Sequence, residues 1–165
     1  MFRELFGLPA HALIVHAAVV FIPLATLAAI LYAVWPALRK YTWWAVLGLG
    51  VLAPASGWAA RLSGDQYKEW WTTPPQSVGG SALDEINNHQ SLGDLLSWWT
   101  TGLGVAMLVM VLYAIPAPVG PLKGGPRPVV VQLAVAAVTV VVAAVTLYYA
   151  IRTGDAGART SHPEI

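Results

Sequence analysis

The sequence predicts an all-α protein, an integral membrane four-helix bundle built from two tandem helical hairpins. Hydrophobic residues make up 57% of the 165 positions and charged residues only 10%, whereas about 25% of a typical soluble domain is charged. The apolar residues form four long runs, each close to the ~20 residues that a helix needs to cross the hydrocarbon. The polar residues that begin and end these runs are similar in the two halves of the chain, which indicates two related hairpins.

The four predicted spans cover about residues 12–35, 43–62, 92–115 and 129–151. Backbone groups inside lipid must find their hydrogen bonds within a helix or a closed barrel. These runs lack the two-residue alternation of barrel strands, so they are predicted to be helices. Residues 1–165 therefore form one transmembrane domain, with an outer loop predicted over 63–88.

The positive charges predict the orientation of these spans. Arg39 and Lys40 lie between the first two spans, and Lys123 and Arg127 lie between the last two. Neither of these short loops contains an acidic residue, and short basic loops usually face the cytoplasm. Both termini and the 63–88 loop are therefore predicted to lie outside.

Charge and composition also exclude several classes of function. The net charge of +1 excludes a strongly basic nucleic-acid binder, so no nucleic-acid partner is expected. The chain has no cysteine, which excludes disulfide scaffolds, iron–sulfur clusters and a thiol nucleophile. The sequence shows no nucleophile–base pair, phosphate-binding loop or carboxylate dyad, so it favours a protein that is not an enzyme.

An internal repeat relates the two hairpins. His11 and His16 open the first span, and His89 and Asp94 stand at the same spacing at the start of the third. The second and fourth spans end in the short motifs Ser63-Gly64-Asp65 and Thr153-Gly154-Asp155. A parallel repeat about the membrane normal would place His11 over His89 and His16 over Asp94. In a bundle of sequential hairpins, the first and third helices would then stand diagonally across the core.

These outer residues form the candidate site, because ionisable groups at membrane depth usually face the bundle interior. Spacing of five residues turns about 140° around a helix, so His11 and His16 cannot share a face. His16 lies deeper and is predicted to pair with His89 as a ligand of haem b or a transition metal, with His11 secondary. Asp94 is predicted to orient a ligand imidazole. Two alternatives stay open: histidines bonded only to water and loop carbonyls, and a proton or substrate site. His162 is expected to be a solvated residue of the polar tail.

The run Leu8-Pro9-Ala10-His11-Ala12-Leu13-Ile14-Val15-His16 resembles the opening of the domain of unknown function 2231 family, bacterial four-helix membrane proteins. The resemblance continues with His89 and Leu92-Gly93, and ends at Gly154-Asp155-Ala156-Gly157-Ala158. Three departures distinguish this chain: Ala12 replaces a proline, Ala17-Ala18 replace Phe-Pro, and Asp155 stands where relatives often carry histidine. The resemblance implies the four-helix fold and a bacterial cytoplasmic (inner) membrane, and it implies no settled activity.

Three functions are compatible with this pattern. The first is a small redox or respiratory accessory that binds haem b or a metal at its outer face. The second is a structural or assembly subunit without a cofactor, favoured by the small-residue stripe Gly50, Ala53, Gly57 and Ala60. The third is a small transporter, suggested by the repeat and by the mid-span Pro23 and Pro54. The expected partners are the lipid bilayer, other membrane or respiratory subunits, and further copies of the chain.

Overall fold

The computed structural model describes residues 4–5, 8–72, 80–115 and 127–161, and nearly all of this part is helical. The prediction of an all-α protein with four helices is confirmed. The long helices are α1 (Ala10–Val34), α2 (Arg39–Thr72), α3 (Ser81–Val109) and α4 (Val129–Ser161). Smaller elements flank them: β1 (Glu4–Leu5) pairs antiparallel with β2 (Leu8–Pro9), a 3₁₀ turn covers Pro36–Leu38, and a π-helical turn covers Met110–Ala114.

Two of the helices extend well beyond their apolar runs. α2 continues through Thr72, ten residues beyond the predicted end of the second span at 62. α3 begins at Ser81 after Gly80, whose φ of 65° is a conformation that glycine adopts readily. Most of the 63–88 segment that was predicted to be a loop is therefore helical.

The helices are arranged as a ring of four neighbours. α1 packs mainly against α2 and α4, and α3 also packs mainly against α2 and α4, whereas α1 and α3 barely touch. The expected diagonal placement of the first and third helices is confirmed by these contacts. α1 and α3 also run in the same direction, because Tyr32 near the end of α1 reaches Ile115 just beyond α3.

Burial repeats between the two hairpins. The residue spacing that relates His11 to His89 also relates further pairs on α1 and α3, both members of which are buried: Ile22 and Thr100, Ala25 and Leu103, Ala29 and Met107, Tyr32 and Met110. A second constant spacing relates buried pairs on α2 and α4: Val46 and Thr139, Gly50 and Ala143, Ala53 and Thr146. The two hairpins therefore turn equivalent faces toward the common core.

Many large apolar side chains lie on the exterior of the bundle. Val20, Val51, Val105 and Val138 are all more than half exposed, which is costly in water but normal for surfaces that face lipid. All four helices are long and apolar enough to cross a membrane. These properties are those of a membrane protein.

Candidate functional site

The polar end of the bundle is formed by the first turns of α1 and α3 together with the last turns of α2 and α4. His11 at the start of α1 contacts Ser63 near the end of α2. His89 in α3 contacts Thr153 in α4 in the corresponding way. The antiparallel course of neighbouring helices thus gathers both histidines, which lie far apart in sequence, at one end of the molecule.

The imidazole of His11 is half-buried and held by one nitrogen. Its Nδ1 lies 2.9 Å from Oγ of Ser63, and that hydroxyl donates its only proton to the carbonyl oxygen of Ala60, also 2.9 Å away. Because the Ser63 proton is already used, Nδ1 of His11 must carry the proton of this bond. A neutral His11 therefore presents the lone pair of Nε2, the atom that could bind a metal.

His89 is held in the same way on the neighbouring pair of helices. Its half-buried ring places Nδ1 3.1 Å from the carbonyl oxygen of Thr153. Since a carbonyl only accepts hydrogen bonds, Nδ1 of His89 is again the donor, and Nε2 again carries the lone pair. An Nδ1–H bond to a carbonyl is the usual means by which proteins orient a metal-binding imidazole.

Each ring also lies directly against a glycine of the adjacent helix. A Cβ atom at Gly64 would lie 3.2 Å from Cε1 of His11, and one at Gly157 would lie 3.0 Å from Cε1 of His89. Both distances are shorter than ordinary van der Waals contacts between carbon atoms. Glycine at these two positions therefore lets the imidazoles approach the helix backbones.

These contacts correct the register of the repeat at the helix ends. The matched exit motifs predicted that Gly64 corresponds to Gly154, but the glycine that supports the second histidine is Gly157. A Cβ at Gly154 would meet nothing within 4 Å. The spacing that relates Gly64 to Gly157 also relates Ala60 to Thr153, the residues whose carbonyls lie beside the two rings. The correspondence between the two hairpins at this end therefore follows the glycines that pack against the two imidazoles, and not the short Ser/Thr-Gly-Asp motif.

Thr153 adds an unpaired hydroxyl to the polar end. Its Oγ1 is buried and has no hydrogen-bond partner among the described residues, although buried hydroxyls normally have one. Its backbone carbonyl holds His89, so the hydroxyl lies next to that ring's anchor. His11 lies at this same end of the bundle, on the pair of helices α1 and α2. The polar end thus combines two oriented imidazoles with a buried hydroxyl that can still form a hydrogen bond.

His16 lies elsewhere, contrary to its predicted role as the principal ligand. Its side chain is exposed, and Nδ1 bonds the carbonyl oxygen of Ala12 in its own helix. His11 faces α2, and a rotation of about 140° between the two positions turns His16 to the outside of the bundle. The structure therefore places His11 and His89 at the same end of the bundle, each anchored to a neighbouring helix, whereas His16 is exposed.

Asp94 also differs from its predicted role beside an imidazole. Its carboxylate forms an ion pair with Arg61, which lies 3.6 Å from Asp65 as well. Gln90 continues this network, donating to Asp65 over 2.7 Å and accepting from Lys68 over 2.5 Å. These charged side chains join α2 to α3, so Asp94 serves this link between the hairpins.

The donor set limits the kind of metal that could be held here. Within residues 4–5, 8–72, 80–115 and 127–161, the structure contains no group of three His, Asp or Glu side chains that could bind a metal ion together. Protein-bound zinc needs at least three such ligands. His162 lies outside the described residues.

Comparison of the chain with family models, with curated proteins and with solved structures finds no match. The resemblance to the domain of unknown function 2231 family therefore stays a prediction based on the motifs around His11, His89 and Gly154. The class of protein that the fold defines is a four-helix membrane-type bundle with a two-histidine polar end.

Proposed function

We propose that this protein is a small membrane protein that holds haem b between His11 and His89. The observation that carries the proposal is that both imidazoles are anchored through Nδ1, which leaves both Nε2 lone pairs available. Haem iron needs only axial ligands from the protein, because the porphyrin supplies four nitrogens. Two histidines are thus enough for haem, whereas they are too few for a protein-bound zinc ion.

Two features of the surrounding residues support the proposal. Gly64 and Gly157 let the rings lie close to the helix backbones. The unpaired hydroxyl of Thr153 offers a hydrogen bond to a polar substituent or to a ligand-bound water. A transition-metal ion bound by the same two imidazoles would need further ligands from outside the described residues.

The proposed role is electron transfer within a membrane assembly and not catalysis. Haem held by His11 and His89 would supply one-electron exchange. His11 and His89 would orient and hold the group. A respiratory membrane complex is the partner that this chemistry suits.

The proposed location is the outer face of a bacterial cytoplasmic membrane. Arg39, Lys40 and Arg127 lie at the opposite end of the bundle from the histidines, and positive short loops favour the cytoplasmic side. The two-hairpin repeat, with equivalent burial in both halves, supports a parallel pair of hairpins about the membrane normal.

The absorption spectrum of the purified protein tests the function. Protein from cells supplied with the haem precursor 5-aminolevulinate should show a Soret band and about one haem per chain. His11→Ala and His89→Ala should each lose this band. The matched control is His16→Ala, which removes an exposed imidazole from the same helix as His11 and should keep the full spectrum.

A colourless wild-type protein without bound metal would overturn the proposal and favour the structural or assembly subunit. Full haem content in both His11→Ala and His89→Ala would overturn it as well. Circular dichroism of each variant separates loss of the haem from loss of the fold, since an intact bundle keeps its strong helical signal.

A further inference from the structure

A separate cleft lies between α3 and α4 at the polar end, on the outside of the bundle. Its volume is about 210 Å³. The residues that line it come from one face of each helix: Asn88 and Leu92 from α3, and Arg152, Asp155, Ala156 and Arg159 from α4. This cleft is separate from the histidine site. Thr153 and Gly157, which contact His89, lie on the adjacent face of α4.

Of the two arginines that line this cleft, one has no carboxylate partner among the described residues. Arg159 is paired with Asp155 over 3.2 Å. Arg152 donates from Nη1 to the hydroxyl of Tyr148 over 3.1 Å, and the part of the chain that the structure describes gives it no ion pair. The two arginines and one aspartate give the cleft a net charge of +1. An anionic group is therefore the ligand that the cleft favours electrostatically.

The position of the cleft indicates which kind of molecule carries that anionic group. Arg152 is the first charged residue after the uncharged segment 129–151, so it lies where the hydrocarbon gives way to the headgroup region. On the membrane side of the cleft lie Leu95, Tyr148 and Ile151, which are 44%, 53% and 64% exposed. A phospholipid combines a phosphodiester for the arginine with acyl chains for these apolar side chains.

The internal repeat provides a comparison within the same molecule. The spacing that relates Gly64 to Gly157 also relates Ala59 to Arg152, Leu62 to Asp155 and Gln66 to Arg159. The first hairpin forms the same helical packing with no charge at any of these three positions. The fold therefore does not require the charges in the second hairpin.

We propose that this cleft binds the headgroup of a phospholipid, with the phosphodiester held by the guanidinium of Arg152. The planar guanidinium suits phosphate oxygens because it can donate two parallel hydrogen bonds. The exposed amide of Asn88 lies on the opposite wall and can donate to the same phosphate. Leu92 contacts the glycerol end of the lipid, and the acyl chains follow the exposed apolar surface below it.

Native mass spectrometry of delipidated protein tests this inference. Dioleoyl phosphatidylglycerol should bind the wild type at one preferred site, and dioleoylglycerol, which has the same acyl chains without the phosphate, should not. Arg152→Gln should weaken the binding about tenfold, as expected for a lost charge-assisted hydrogen bond. Arg127→Gln is the matched control, because Arg127 is likewise exposed and lies over a tyrosine, at the other end of the bundle. It should not change the affinity.

Three results would overturn the inference. Equal binding of dioleoylglycerol would show that acyl chains alone explain the affinity. Displacement of the lipid by millimolar inorganic phosphate would assign the cleft to free phosphate. Unchanged affinity in Arg152→Gln would remove the arginine from the site. If Arg152→Gln does not fold, Asn88→Ala replaces it, and this variant should lose less lipid affinity than expected for Arg152→Gln. Unchanged affinity in Asn88→Ala would then count against the proposal.

Discussion

The hydroxyl of Tyr32 donates a hydrogen bond of 2.8 Å to the carbonyl oxygen of Ile115, and so joins the ends of the diagonal helices α1 and α3. Tyr32 is fully buried, and Ile115 directly follows the π-helical turn Met110–Ala114. Such a turn shifts backbone hydrogen bonds out of the regular α-helical pattern. The tyrosine therefore satisfies a buried carbonyl at a place where regular α-helical hydrogen bonding ends.

Tyr32→Phe should lower the free energy of unfolding by about 1–3 kcal/mol, because it leaves the buried carbonyl of Ile115 without a donor. Equilibrium unfolding in detergent measures the change. Tyr113→Phe is the control, since Tyr113 is 53% exposed and its replacement should leave stability nearly unchanged. Equal effects of the two replacements would show that the Tyr32 hydrogen bond contributes nothing specific.

Gly104 allows α2 and α3 to cross in backbone contact. A Cβ atom there would overlap the carbonyl oxygen of Gly50 and lie 3.1 Å from Cγ of Pro54, and neither atom belongs to a flexible side chain. Gly104→Ala should therefore destabilise the bundle by about 1–3 kcal/mol. Gly48→Ala should be neutral or stabilising, because its Cβ would meet nothing within 4 Å. A neutral Gly104→Ala would mean that the helices cross farther apart.

The sequence predicted the helices and their order well, because both depend on local patterns. Long apolar runs predict helices in lipid, and short connections make successive helices neighbours. The helix ends were predicted less well. α2 and α3 continue past their apolar runs through polar residues such as Asp65 and Gln90, which pack against each other and so stabilise helix outside the apolar region.

The site was predicted only in part for a geometric reason. Helix periodicity showed that His11 and His16 face different ways, but not which of them faces the core. That choice depends on Gly64, which lies on another helix and leaves room for the ring of His11. Gly64 and Gly157 could have indicated where the histidine rings pack, because glycine is unfavourable inside a long helix unless it has a packing role. The unpaired hydroxyl of Thr153 left no such signal in the sequence.

The orientation of the bundle can be tested with cysteines, because the chain has none of its own. Cysteines at positions Ser77 and Ser161 should react with an impermeant thiol reagent on intact cells, and one at Gly124 should react only after lysis. The reason is that Arg39, Lys40 and Arg127 lie at the short connections between α1 and α2 and between α3 and α4, which contain no acidic residue. The reverse labelling would place the histidines at the cytoplasmic face.

Thr153→Val should have opposite effects on the haem-free and haem-bound protein. It removes a buried hydroxyl that has no partner in the described structure, so the haem-free protein should gain about 1 kcal/mol in its free energy of unfolding. If haem binds as proposed, it should be released more easily from the variant, because the Thr153 hydroxyl could no longer donate a hydrogen bond to it. Thr146→Val is the control: its hydroxyl bonds Val142 and Trp99, so the variant should not be more stable. Loss of stability in Thr153→Val would show that the hydroxyl is paired.

The register of the repeat leads to a prediction that separates two nearby glycines. Gly157→Ala would place a Cβ 3.0 Å from Cε1 of His89, so the ring would have to shift from its present position. Gly154→Ala would add the same methyl group one helical turn earlier, where it meets nothing within 4 Å. Both changes raise helix propensity equally, so a difference between them reports on the histidine.

We expect Gly157→Ala to lose most of the haem signal while keeping its helical circular dichroism, and Gly154→Ala to keep both. Gly64→Ala should resemble Gly157→Ala, since its Cβ would lie 3.2 Å from Cε1 of His11. The absorption spectrum and the haem content per chain measure these outcomes. If Gly154→Ala loses the haem and Gly157→Ala keeps it, the exit motif and not the imidazole contact sets the register, and His89 does not lie where its ligand role requires.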